Sequence, residues 1–242
     1  MKKTLLMTAA LLAICAGLAS AAGLNLGWDN CAGLGAGALN KNFACNTNTG
    51  IPSTMIGSFV APAGMDNVNG YQVVVDLQTA GATLSPWWDI GGCRASNAAS
   101  FSSDFTTGPF GCTDYWLGAA GGGGFYIPLE GGPNRAEIRI AFAIASGFGP
   151  IAEGDEAYLF KVTINNSKTA GLGACARCTD DVCIVFTHAL ITNDPGLGGT
   201  DATLTNPAFR AHVTFQGGET TPCPDVTPAK RTSWGTIKSL YR

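Results

Sequence analysis

Two histidines, eight cysteines beyond residue 21 and two adjacent aromatic pairs are the side chains best suited to chemistry. Neither His188 nor His212 lies beside a Ser or Cys in a nucleophile motif. The chain carries no G-x-S-x-G, H-E-x-x-H or paired-carboxylate signature, so no catalytic residue is assigned. His188 alternates with Phe186 and Leu190, the spacing of a histidine packed in a sheet. The carboxylates are scattered, and a hydrolase that assembles its acid–base pair from distant strands leaves no local pattern; it stays an alternative.

The aromatic pairs are the stronger candidates for ligand binding. Trp87 and Trp88 point to opposite faces if extended, so one ring could enter the core while the other stacks on a sugar; Tyr115 and Trp116 offer a second such pair. The competing reading is that both pairs fill the core or cover a disulfide. No cofactor or metal site is assigned, and calcium is the ion the loops could hold. Asp66, Asn67 and Asn69, and separately Asp180 and Asp181, supply hard oxygen ligands without EF-hand spacing, in a composition that also suits solvated turns.

Cys31, Cys45, Cys93, Cys112, Cys175, Cys178, Cys183 and Cys223 make an even set compatible with four disulfides. Spacing suggests local staples, Cys31–Cys45 and Cys93–Cys112, with the last four cysteines pairing among themselves. Cys175-x-x-Cys178 followed by Cys183 has a zinc-like look. No fourth ligand stands at standard spacing, and an oxidising compartment favours disulfides.

That compartment is read from the N-terminus. Met1-Lys2-Lys3, an apolar run over 5–18 and Ala19-Ser20-Ala21 form the pattern of a secretory signal covering 1–21. The run is too short to span a bilayer, and Ile14 before Cys15 argues against lipidation. Cleavage leaves 12 bases against 17 acids, a net charge of −5. Four of those bases (Lys230, Arg231, Lys238 and Arg242) stand in the last 13 residues, so the body before them carries 8 bases against 17 acids, about −9. An acidic body argues against nucleic acid or an anionic membrane as partner. Charged residues are 13% of the chain, so Ser, Thr, Asn and Gly must supply much of the surface.

The elements that would position these residues are strands. Alternation marks 24–28, 55–61, 71–78, 134–146, 157–164, 182–191 and 211–215. Residues 155–191 read as a central hairpin, two core strands joined by a disulfide-pinned connection. Residues 81–124 are the least regular: a short helix is expected within 96–105, and the run Gly121–Gly124 is expected to be a flexible loop tip. Seven or eight strands with frequent Gly and Pro turns predict an all-β, antiparallel β-sandwich over 22–221, stabilised by disulfides. A Pro-rich linker follows over 222–231. The tail 232–242 carries Trp234, Ile237 and Tyr241 at helical spacing and is expected to be a docking or sorting peptide.

Two stretches carry a resemblance. Cys175-Ala176-Arg177-Cys178 with Val182-Cys183-Ile184-Val185, together with the terminal Ser233-Trp234-Gly235-Thr236-Ile237-Lys238-Ser239-Leu240-Tyr241-Arg242, resemble a family of secreted bacterial proteins of uncharacterised role. That likeness implies export and no particular activity. Gly70-Tyr71, Asp76-Leu77 and Ala157-Tyr158-Leu159-Phe160-Lys161-Val162 look like strands of cohesin-like and carbohydrate-binding sandwiches, which implies a jelly-roll or cohesin-like architecture. The function expected is that of a secreted, non-enzymatic extracellular or cell-surface protein with a structural, adhesion or binding role. The alternatives are a carbohydrate-binding module and the hydrolase above. The partners expected are carbohydrate or another surface protein, with no nucleic acid and no membrane insertion after signal cleavage.

Overall fold

The described residues form eleven strands, most of them marked by alternating apolar residues: β1 (Gly23–Trp28), β2 (Asn40–Lys41), β3 (Ser53–Val60), β4 (Val68–Gln78), β5 (Ala99–Ser102), β6 (Gly121–Pro128), β7 (Arg135–Ala143), β8 (Glu156–Ile164), β9 (Val182–Asn193), β10 (Ala202–Leu204) and β11 (His212–Phe215). The computed structural model describes residues 22–31, 37–107, 110–217 and 223. The segments read above as the signal (1–21) and the tail (232–242) lie outside the described residues, as does the linker apart from Cys223.

The strands form a β-sandwich. One sheet has the order β1-β3-β8-β5; the larger has seven strands, in the order β2-β11-β9-β4-β7-β6 with β10 paired to β9. All the pairings are antiparallel except that of β11 with the short β2. Between the sheets, Tyr71, Val73, Val75 and Leu77 of β4 share a buried core with Ile138, Ile140 and Phe142 of β7 and Phe160, Val162 and Ile164 of β8. Phe160 and Phe186 meet across the sandwich with ring centroids 5.2 Å apart. Gly57 in β3 makes room for this, since a Cβ there would sit 2.2 Å from the Phe160 ring.

The expected central hairpin is corrected. β8 belongs to the smaller sheet and β9 to the larger, so 165–181 is a crossover over one end of the sandwich. It is tied down from several sides. Cys93–Cys175 and Cys45–Cys178 anchor it to the 85–95 and 42–49 loops. The Asn48 side chain accepts from Thr169 N and Ala170 N at 2.7 and 2.9 Å. Arg94, fully buried, donates to the carbonyls of Asn165 and Ser167 and lies 3.9 Å from the Trp87 ring centroid. Burial pulls its guanidinium down to about 10, which leaves it charged at neutral pH.

All eight cysteines beyond residue 21 form disulfides, as expected, but the local pairing is overturned. The bonds are Cys31–Cys112, Cys45–Cys178, Cys93–Cys175 and Cys183–Cys223, so only the last keeps to the C-terminal four. Sequence neighbours such as Cys31 and Cys45 are carried to different parts of the sandwich, and only approach within about 4.4–6.8 Å of Cα separation permits a bond.

Two further expectations fail locally. Gly121–Gly124 is no loop tip but the first half of β6. It approaches β7 so closely that a Cβ on Gly122 would stand 2.1 Å from the Ala141 carbonyl oxygen. The helix expected in 96–105 is a single 3₁₀ turn, Ser96–Ala98, which runs straight into β5.

Candidate functional site

The structure places the predicted aromatic platforms in the core. Trp87, Trp88 and Trp116 have no exposed surface. Trp87 stacks on Phe215 at 5.0 Å, and its indole donates to Thr169 Oγ1 at 2.9 Å. Trp116 donates to the Tyr158 carbonyl at 3.0 Å. Tyr115 is half-buried, packs edge-on against Trp116 and gives its hydroxyl to the Gly149 carbonyl at 2.6 Å. The expectation of one solvent-facing ring in each pair therefore fails for Trp87, Trp88 and Trp116, and Tyr115 is held half-buried against Trp116. In the Pro86–Trp88 3₁₀ turn the Trp pair is not extended, so neither ring is sent to solvent.

The loops considered for calcium serve as clamps. Asn67 Nδ2 donates to the Leu197 carbonyl at 2.9 Å, Asn69 Oδ1 accepts from Thr192 Oγ1 at 3.0 Å, and Asp180 pairs with Arg177 at 3.3 Å. Among the described residues no group of three or more His, Cys, Asp or Glu side chains could hold a metal ion. Trp234, Ile237 and Tyr241 lie outside the described residues.

What the fold does assemble is a polar constellation on the outer face of the larger sheet, away from the core. A β-bulge creates part of it. Val75 pairs with Phe186 but Val74 pairs with His188, so Thr187 is the extra residue. After the bulge Ala189 and Ile191 continue the core face, while His188 and Leu190 turn outward and are half-buried. His188, read from alternation as sharing the face of Phe186, is thus on the opposite one.

Asp76 of β4 and Glu137 of β7 are directly opposed on that outer face. Thr187 Oγ1 donates to Asp76 Oδ2 at 2.7 Å, and Arg139 reaches Glu137 Oε2 at 2.7 Å. Only 5% of Asp76 and 2% of Glu137 is exposed. Burial, the largest cause, raises both carboxyls above their ordinary range, against the pull of the Thr187 hydroxyl on Asp76 and of Arg139 on Glu137. The register continues this row through Val185 to His212 of β11. Beside it opens a cleft of about 280 Å³, lined by Val185, Thr187, Pro207, Phe209, Arg210 and His212 among others. Burial and the neighbouring Arg210 push the imidazole of His212 down, which favours its neutral form. Phe209 at the rim is 69% exposed.

Sequence reasoning missed Asp76, Glu137, Arg139, Thr187, Phe209 and Arg210. A faint signal existed: charges midway along apolar strands in a chain with only 13% charged residues. The cross-strand register that unites them leaves no trace in any one segment.

The four disulfides are the chemistry of an oxidising, extracellular-type environment. Among the described residues no helix is long and apolar enough to cross a membrane.

No family model and no curated protein matches this chain. Among solved structures it is similar to a cohesin module from a family 33 glycoside hydrolase of Clostridium perfringens, at 12% identity and a TM-score of 0.33, covering 76% of this chain and 96% of that one. It is also similar to the second type II cohesin module of the adaptor ScaA scaffoldin of Acetivibrio cellulolyticus, at 13% identity and a TM-score of 0.30, covering 87% and 97%. Overlap this loose says nothing of what this chain is or binds.

Proposed function

We propose that this chain is a non-enzymatic extracellular binding module, structural or adhesive in role, that seats a partner protein on the outer face of its larger sheet. The observation that supports this is the make-up of that face. Half-exposed apolar side chains, Val74, Val185 and Leu190, surround charges already satisfied within the protein, Asp76 by Thr187 and Glu137 by Arg139. A partner covering such a patch removes apolar surface from water without stranding a bare charge, the condition under which desolvation costs least. The test compares capture of extracellular proteins by the immobilised domain with capture by its Leu190→Asp variant. Loss of a specific band at unchanged melting temperature supports the reading. Identical capture by both, or binding to a glycan array in place of protein, overturns it.

The opposed Asp76 and Glu137 favour one second reading, a hydrolase using a carboxylate pair. Its expected outcome is turnover of a glycoside panel that disappears in Glu137→Gln. Near-complete burial of both groups ranks it behind the binding module.

The tail 232–242 belongs to the same proposal as a localisation or docking peptide. Its deletion is expected to change where the protein accumulates and to leave the melting temperature nearly unchanged. A fall of many degrees with intact localisation would instead make it part of the fold.

A further inference from the structure

Edge strands carry unpaired backbone groups and are normally shortened, covered or charged. Three edges here obey that rule. β2 has two residues and carries Lys41, and β5 has four. β1 is covered by the 206–210 segment, with Leu24 N and Leu26 N donating to the carbonyls of Asn206 and Arg210 at 2.9 and 2.8 Å. β6 breaks the rule. It is the eight-residue outer strand of the larger sheet, reads Gly-Gly-Gly-Gly-Phe-Tyr-Ile-Pro and carries no charge.

We propose that β6 is a self-pairing edge, and that two copies of this chain join antiparallel through it about a two-fold axis at Gly124. The hydrogen-bond phase fits. The β6–β7 register extends to Leu129, whose N–H donates to the Arg135 carbonyl at 3.1 Å. Odd-numbered residues of β6 therefore face β7, and Gly122, Gly124 and Tyr126 turn their N–H and C=O groups to the free edge. A two-fold axis perpendicular to the sheet keeps each copy's outer face continuous with the other's, so partners must share a face. With Gly124 on the axis, Gly124 meets its own counterpart, Gly123 meets Phe125, Gly122 meets Tyr126 and Gly121 meets Ile127. The edge-facing residues then bond each other reciprocally.

Side-chain volume fits as well. Four glycines precede the bulky residues, and this register sets Phe125, Tyr126 and Ile127 each opposite a glycine. On the outer face a Cβ at Gly121 or Gly123 would have nothing within 4 Å, which is the space the partner's Ile127 and Phe125 would cover. Phe125 is 50% exposed and Leu129, just beyond the strand, 65%. Their burial would add an apolar contribution to an isologous interface. The interface is small by the standards of permanent dimers, so association is expected at concentrations on the order of micromolar.

Sedimentation velocity of the full mature chain across a hundredfold dilution series tests this, alongside Gly123→Lys. That substitution enters open space on the outer face and places a charge at the pairing edge. The wild type is expected to shift from monomer to dimer with concentration. Gly123→Lys should stay monomeric at unchanged melting temperature, and Leu197→Lys, at an exposed site elsewhere, should dimerise like the wild type. Hydrogen exchange supplies a readout that needs no variant: the amides of Gly122, Gly124 and Tyr126 should gain protection as concentration rises. A monomer at every concentration overturns the proposal. So does a dimer that survives Gly123→Lys, or edge protection that is independent of concentration and therefore comes from the same chain.

Discussion

The two outer faces of the sandwich are treated in opposite ways. On the smaller sheet Ile56 and Tyr158 are roofed by the 103–116 loop, with Phe105 and Cys112 forming a second apolar cluster above them. The roof is fastened by Cys31–Cys112, by the Tyr158 hydroxyl on the Cys31 carbonyl and by Lys161 Nζ on the Thr107 carbonyl at 2.7 Å. On the larger sheet Val74, Val185, His188 and Leu190 stay half-exposed around Asp76, Glu137 and Arg139. One face buries its apolar side chains within the chain itself. The other ties its carboxylates to Thr187 and Arg139 within the chain and leaves its apolar positions partly exposed. A face with its own roof removes more apolar surface from water than one left partly open, and so contributes more to stability.

Removing the roof's fastening should give the largest effect. Cys31 and Cys112 are 81 residues apart in sequence, a loop for which chain entropy alone suggests about 4.5 kcal/mol. The double variant Cys31→Ser/Cys112→Ser is expected to lose roughly that amount in chemical denaturation. A midpoint within error of the wild type would show that the roof is held by packing alone. Next comes Phe105→Ala, where a ring only 3% exposed is removed at a cost of about 3 kcal/mol. Val74→Ala on the open face should cost about 1 kcal/mol or less, because the side chain is already partly in water. Equal losses for these two variants would erase the distinction between the faces.

Much of the sandwich was legible because alternation directly reports which residues can share a sheet face. The strands around Tyr71, Ile138, Phe160 and Ile184 all stand where period two places them. Failures fall where a non-local contact overrides local chemistry. Gly121–Gly124 pairs as a strand because β7 offers Ala141 and Ala143 opposite, a fact absent from the glycines themselves. His188 changes face because one bulge at Thr187 resets the phase of β9. The disulfides were legible as a set and not as pairs, since pairing depends on where the ends of β1 and the crossover come to rest. The candidate site was illegible for the same reason. Asp76, Glu137 and Thr187 lie on three strands that meet only in the folded sheet.

The smallest effect expected is a pH response confined to the open face. Asp76 and Glu137 both have folded-state carboxyls raised by burial, while an unfolded chain returns them to about 3.9 and 4.3. Between the unfolded and folded values the native state holds more protons than the unfolded one. Stability from these groups is therefore fully present below the unfolded values and is lost as pH rises through the folded ones. Asp76→Asn keeps the shape, removes the charge that burial disfavours and lets Thr187 donate to a neutral oxygen. It is expected to raise stability slightly at pH 7, by about 1 kcal/mol or less, and to flatten the fall in stability between pH 4 and pH 7. The equivalent Asp104→Asn change, in the loop that roofs the other face, removes a carboxyl held at about 2 by the hydroxyl and backbone N–H groups of Thr106 and Thr107. A depressed carboxyl loses its contribution as pH falls through the folded value, so that variant should differ from the wild type most at neutral pH and converge with it in strong acid. Denaturation midpoints measured from pH 2 to pH 7 separate the two signs. If Asp76→Asn is less stable than the wild type at pH 7, its charge is being held by partners strongly enough to outweigh burial, and the open face is a preformed ionic site.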